Sequence, residues 1–161
     1  MPMSDALLWV HGTPTTPAAF LTAGSAYSTN EIDFGAPNTG ATYPYLPAFP
    51  SATEKGYTFP PEVVGAGGVE WGLHFVVGVA FDTLTSIVLS AVSASTTNAT
   101  TAIASRTLTL AQLAIAGAHY FVPVNGVAVL EFLRAYGALT GSNNVSGTCM
   151  MWFGPRTGGE Q

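Results

Sequence analysis

Charge is what this sequence has least of. Only 13 of its 161 residues are charged, nine acids against four bases, although 48% of the residues are hydrophobic. At the usual quarter of all residues, a soluble chain of this length would carry about 40 charges. A compact monomer of this mass exposes roughly 7,600 Å² by size scaling, so formal charges are spaced at about one per 600 Å². Charge keeps proteins apart in solution. A chain this poor in it either sits in a membrane or works while covered by other chains. The four bases, Lys55, Arg106, Arg134 and Arg156, are scattered along the chain. Nucleic-acid binding needs clustered cations to neutralise phosphates, so that class is excluded. A single cysteine, Cys149, excludes an internal disulfide framework and reads as a small buried hydrophobe.

Long hydrophobic runs are also missing. The longest, Leu73 to Phe81, contains His74 and Gly78 and stops at Asp82, whereas a spanning helix needs about 20 apolar residues. No basic residue precedes Ala6–Val10, so the start does not read as a signal peptide. Alternating segments are too few for the smallest membrane β-barrel. A soluble chain with a covered surface is the expectation that remains.

What is present is alternation of period two. In Glu70–Phe81 one face carries Trp71, Leu73, Phe75, Val77, Val79 and Phe81, a large-residue face turned to a core. Thr85–Ser95 sets Ile87, Leu89 and Ala91 against Ser86, Val88 and Ser90. Ser93–Thr101 reads as a polar, uncharged loop, Ile103–Leu108 as a further strand, and Leu110–Ala114 as one helical turn before Gly117. His119–Val124 is a strand ended by Pro123 and the hairpin dipeptide Asn125-Gly126. Val127–Leu139 fits a helical face or a strand face, and the turns on either side favour a strand. Thr148–Phe153 closes the series before Gly154-Pro155, with Arg156–Gln161 as a polar tail. Ala6–His11 and Ser25–Phe34 also read as extended. Short strands punctuated by Gly, Asn and Pro make an all-β sandwich or barrel. The length fits one domain, residues 1–161.

Residues 35–68 differ. They hold Pro37, Pro44, Pro47, Pro50, Pro60 and Pro61, with Tyr43, Tyr45, Phe49, Tyr57 and Phe59 between them. Proline blocks helix interiors and central strands, and disordered linkers are poor in aromatics. This segment is therefore expected to be an extended arm or long loop that packs onto something. The five aromatics are the candidate contacts to a neighbouring subunit or a larger partner.

Catalytic and ligand motifs fail one by one. The Gly65–Gly68 stretch lacks the third glycine and the following helix of a dinucleotide fingerprint. His11, His74 and His119 share no ligand spacing and read as packed or surface residues. Glu31 and Asp33 share one strand face but supply too few oxygens for calcium and read as solvated. No nucleophile elbow occurs. Neither a cofactor nor a metal is expected, and neither is enzymatic activity.

Three blocks carry a family likeness: Ser28-Thr29-Asn30-Glu31-Ile32-Asp33-Phe34-Gly35-Ala36, Gly72-Leu73-His74-Phe75-Val76-Val77-Gly78-Val79-Ala80-Phe81, and Ala116-Gly117-Ala118-His119-Tyr120-Phe121-Val122-Pro123-Val124. They and their order resemble the jelly-roll capsid cement (decoration) proteins of tailed bacteriophages, of the kind described for short-tailed Bordetella phage. The likeness covers most of the chain outside residues 35–68. Two departures stand out: a lone Arg134 in Val129–Tyr136 where relatives tend to be more basic, and a longer Pro/aromatic segment.

The resemblance implies a single jelly roll of about eight antiparallel strands with residues 35–68 as an insertion. It implies a homo-oligomer, dimer or trimer, on the outer surface of a phage capsid, where it binds the major capsid protein. The low charge fits such covering, because interface cores are depleted in charge and enriched in aromatics and Met. The alternatives are a carbohydrate-binding jelly-roll module or fibre domain using Trp9, Trp71 and Trp152, a cupin-like enzyme, and a shell-forming jelly roll. Against the first, Trp71 and Trp152 fall in expected core strands.

Overall fold

A computed structural model describes residues 9–21, 24–33, 57–58, 70–124, 128–129, 132–141, 146–156 and 158–161. Of the candidate contact residues, Tyr43, Tyr45, Phe49 and Phe59 lie outside these. Tyr57 is placed by its backbone alone, in a two-residue strand.

The elements in chain order are β1 (Trp9–His11), β2 (Ala18–Ala19), β3 (Ala26–Tyr27), β4 (Ile32–Asp33), β5 (Tyr57–Thr58), β6 (Trp71–Val79), β7 (Leu84–Ala94) and β8 (Thr101–Thr109). They are followed by α1 (Leu110–Leu113), β9 (His119–Pro123), β10 (Ala128–Val129), β11 (Phe132–Gly141) and β12 (Thr148–Pro155). Two antiparallel sheets form. The first runs β1-β12-β6-β9, with β2 also on β12. The second runs β3-β11-β7-β8, with β4 also on β11. The small β5–β10 ladder stands apart from both.

The pairings are nested: β1 with β12, β3 and β4 with β11, β6 with β9, and β7 with β8. First pairs with last and so on inwards, as in one long hairpin rolled up on itself. This is jelly-roll wiring, with strands of one hairpin arm alternating between the two sheets.

Alternation explains which faces meet. Leu73, Phe75 and Val77 of β6, Tyr120 and Val122 of β9, and Met151 and Phe153 of β12 point inward from the first sheet. Ile87, Leu89 and Ala91 of β7 with Leu133 and Ala135 of β11 answer from the second. All belong to one continuous core. Cys149 is fully buried within it, as expected, and burial pushes its thiol far above the ordinary range.

The β6 face departs from strict alternation at its end. Thr148 pairs with Val79 but Cys149 pairs with Val77, so Gly78 is the extra residue of a bulge. The slip turns Val79 outward, to 60% exposure, while Phe81 beyond it returns to the core. Gly147 packs on the Phe81 ring at φ +136°, where a Cβ would meet both backbone strain and that ring. The single helical turn α1 follows Thr109, whose N–H is capped by Gln112 Oε1 at 2.9 Å. No helix among the described residues is long and apolar enough to cross a membrane.

Candidate functional site

Residues that alternate with a core face must point the other way, and on the first sheet these form a row of rings. Trp9 lies opposite Trp152, Trp152 opposite His74, and His74 opposite Phe121. Cross-strand neighbours on one face stand close enough for rings to touch. Trp9 and Trp152 have centroids 4.7 Å apart, His74 stacks on Trp152 at 4.7 Å with planes 1° apart, and Phe121 meets His74 edge-on at 4.8 Å. His119, one pleat along β9, reaches in beside His74 with ring centroids 5.1 Å apart. Gly72 keeps this face low, because a Cβ there would collide with the Val122 carbonyl and the Phe121 ring.

The closing segment crosses the row. Arg156 N–H donates to the Glu70 carbonyl and its guanidinium pairs with the Glu70 carboxylate at 2.6 Å. Gln161 N–H donates to the His119 carbonyl at 2.8 Å, and Arg106 donates to both the Phe121 and Gln161 carbonyls. Between these anchors Glu160 folds its carboxylate under the segment, fully shielded from solvent, with Oε2 accepting Gly158 N–H at 2.7 Å. The expected polar tail is instead a strap fixed at both ends.

Under the strap, His74 Nδ1, His119 Nε2 and a Glu160 oxygen converge within 4.8 Å of one another. His74 Nδ1 is 2.9 Å from His119 Nε2 and 3.4 Å from Glu160 Oε1. The other His74 nitrogen, Nε2, faces the Pro155 carbonyl at 3.0 Å. A carbonyl only accepts, so Nε2 carries the proton and Nδ1 turns a lone pair toward His119 and Glu160. Burial lowers the affinity of both imidazoles for a second proton. For His74 the neighbouring His119 adds to this, and Glu160 opposes it for both rings. Two neutral imidazoles and a carboxylate are thereby aimed at one point, a donor set suited to a borderline transition metal.

The remaining candidates resolve differently. His11 lies apart, packed against Phe20 at 5.1 Å. Glu31 is not solvated: its carboxylate accepts the Asn98 and Ala99 N–H groups at 2.9 and 2.6 Å and lies 3.8 Å from Arg134. Trp71 is partly buried and packs against the core, whereas Trp152 is partly buried on the outer face. Trp152 faces away from the core because Met151 and Phe153 on either side of it take the inward positions. The histidine cluster was hidden in the sequence because 45 residues separate His74 from His119. Only the β6–β9 register, which sets Val76 opposite His119, brings them together. One signal was available: both histidines alternate with inward-facing neighbours and so share the outer parity. Comparison with protein-family models and with curated proteins finds no match.

Proposed function

We propose that this chain is a structural capsid cement (decoration) protein, which binds the outside of a phage head as a homo-oligomer and holds neighbouring capsomers of the major capsid protein together. One observation carries the reading: every charged side chain that is described is engaged within the chain. Glu31 and Arg134 hold the 95–100 loop, Asp82 accepts Ser146 N–H, Arg106 clasps two carbonyls, and Glu70, Arg156 and Glu160 fasten the strap. Among the described residues, the large hydrophobic side chains exposed to partners are Tyr27, Val79 and Ile115. On the outer face of the second sheet Tyr27 and Tyr136 pair at 4.5 Å, and the Arg134 guanidinium covers Tyr27 at 3.8 Å. Tyr and Arg are the residues that dominate binding energy at interfaces. The jelly-roll wiring and the resemblance of three sequence blocks to cement proteins support the same reading. The work done is binding alone: each copy adds a modest contact, and many copies reinforce the shell together.

The test is light scattering on the purified chain followed by co-sedimentation with assembled heads of the phage that encodes it. A dimer or trimer that sediments with heads is expected. A well-behaved monomer that stays in the supernatant would sink the proposal.

The partly buried Trp9–Trp152 pair favours a second reading, a carbohydrate-binding module, since Trp152 is turned out of the core. Glycan-array binding by the isolated chain, with loss of head binding, would favour it over the first.

A further inference from the structure

We propose that His74, His119 and Glu160 form a structural zinc site that staples the closing strap onto the ring-lined face of the first sheet. Three independent features of the geometry point to a metal rather than to hydrogen bonding alone. The first is convergence of three potential ligand atoms within 4.8 Å of one another. His74 Nδ1 presents a lone pair to His119 Nε2 at 2.9 Å and to a Glu160 oxygen at 3.4 Å. The proton between the rings sits on His119 Nε2 in this hydrogen bond, and moving it to Nδ1 turns a second imidazole lone pair toward the same point.

The second feature is the outer shell. Metal-bound histidines characteristically donate their other ring N–H to a carbonyl or carboxylate, which fixes the tautomer and the ring plane. His74 Nε2–H does so to Pro155 O at 3.0 Å, and Trp152 stacked at 4.7 Å holds the same ring from its face. On Glu160, Gly158 N–H holds Oε2, which leaves Oε1 directed at His74.

The third is size. Tetrahedral zinc with ligand bonds of about 2.0–2.1 Å sets neighbouring ligand atoms roughly 3.3 Å apart. The two separations from His74 Nδ1, 2.9 and 3.4 Å, bracket that spacing, and all three ligand atoms lie within 4.8 Å of one another, so the His119 ring and the Glu160 carboxylate draw together on coordination. Coordination asks one chemical change of the protein: the His119 proton moves from Nε2 to Nδ1, and both imidazoles remain neutral. Three protein ligands leave a fourth position for water or a partner's side chain.

The site lies outside the sandwich, beneath the strap, and not in the core. Its consequence is mechanical: one of its ligands comes from the strap and the other two from the sheet, so the metal joins the two.

The experiment uses the full chain, freed of metal with a chelator and titrated with Zn²⁺. Expected are saturable uptake of one zinc per chain, a rise in melting temperature, and a change in fluorescence that Trp152→Phe largely removes. Glu160→Gln and His119→Gln should each weaken binding at least tenfold, while His11→Gln binds like the parent. Glu160 belongs to the strap, so its variant keeps the sandwich, which circular dichroism verifies. Hydrogen exchange at the Gly158 and Gln161 amides should slow when zinc is added. Absence of stoichiometric binding, or equal affinity in the Glu160→Gln and parent chains, overturns the site. Binding that leaves exchange in the strap unchanged overturns its role as a staple.

Discussion

His11 is buried to 3% exposure, with its Nε2 3.1 Å from the Ala19 carbonyl and its Nδ1 facing Thr29 N–H at 3.4 Å. The carbonyl requires a proton on Nε2 and the amide requires a lone pair on Nδ1, so both partners are satisfied only by the neutral ring. A second proton would have to sit on Nδ1, where the Thr29 hydroxyl at 3.3 Å could accept it but the Thr29 N–H would lose its acceptor. Burial also disfavours the charge and holds the folded pKa below the ordinary 6.5, against a smaller opposing effect of the Ala18 and Ala19 carbonyls. The unfolded chain therefore binds this proton more readily than the folded one. The stabilisation from His11 is complete above pH 6.5 and drains away as the pH falls from there toward the depressed folded value. Urea denaturation at about pH 7.5 and about pH 5 should show the parent losing more stability than His11→Gln. Equal losses would mean that the ring is charged in the fold. The sequence shows that His11, His74 and His119 stand in or beside strands and leaves packed or surface open; for His11 the fold selects the packed position. The sequence does not show which nitrogen faces what, because the partners are backbone groups distant along the chain.

At the scale of elements, the 95–100 loop shows how a nearly uncharged chain uses a charge. This loop joins β7 to β8 and carries Asn98 at φ 65°, a left-handed position. Two successive amides, Asn98 and Ala99, point at the Glu31 carboxylate, and Arg134 Nε donates to the Ala99 carbonyl at 2.7 Å. Ala99 is fully buried beneath Val92 and Phe132, so its polar groups need these partners. Hydrogen bonds to charged groups contribute about 1.5–3 kcal/mol each, and Glu31→Gln keeps one acceptor oxygen while turning an NH2 toward an amide. That variant should lose about 1–3 kcal/mol in denaturant titration. A change within a few tenths would mean that water can replace the carboxylate. Strand identities were legible because β6, β7, β8, β9 and β12 each alternate against a single core. Less legible were features set by long-range partners. The Gly78 bulge depends on how β12 meets β6, the Glu31 contacts on a loop 67 residues away, and the strap on anchors spread over three strands.

Across the whole molecule, rolled-up hairpin wiring places sequence-distant strands side by side and leaves each sheet one outer face. The first sheet covers its outer face partly with its own strap. The second presents small hydroxyl and methyl side chains, with the Tyr27–Tyr136 pair and its bound Arg134 as the largest features. With the described charges engaged internally, association through the described surface would draw on apolar contact and neutral hydrogen bonds. Such contacts hardly respond to added salt, whereas steering and pairing by free charges fade within a Debye length of about 10 Å at 0.1 M salt. The oligomer and the head binding proposed above should therefore persist from about 50 to about 500 mM NaCl, with less than a threefold change in affinity by co-sedimentation. Loss of binding by tenfold or more over that range would place the docking energy in charges outside the described residues, such as Lys55 or Glu62 of the Pro/aromatic segment. The scarcity of charge would then describe the sandwich alone, and residues 35–68 would carry the recognition.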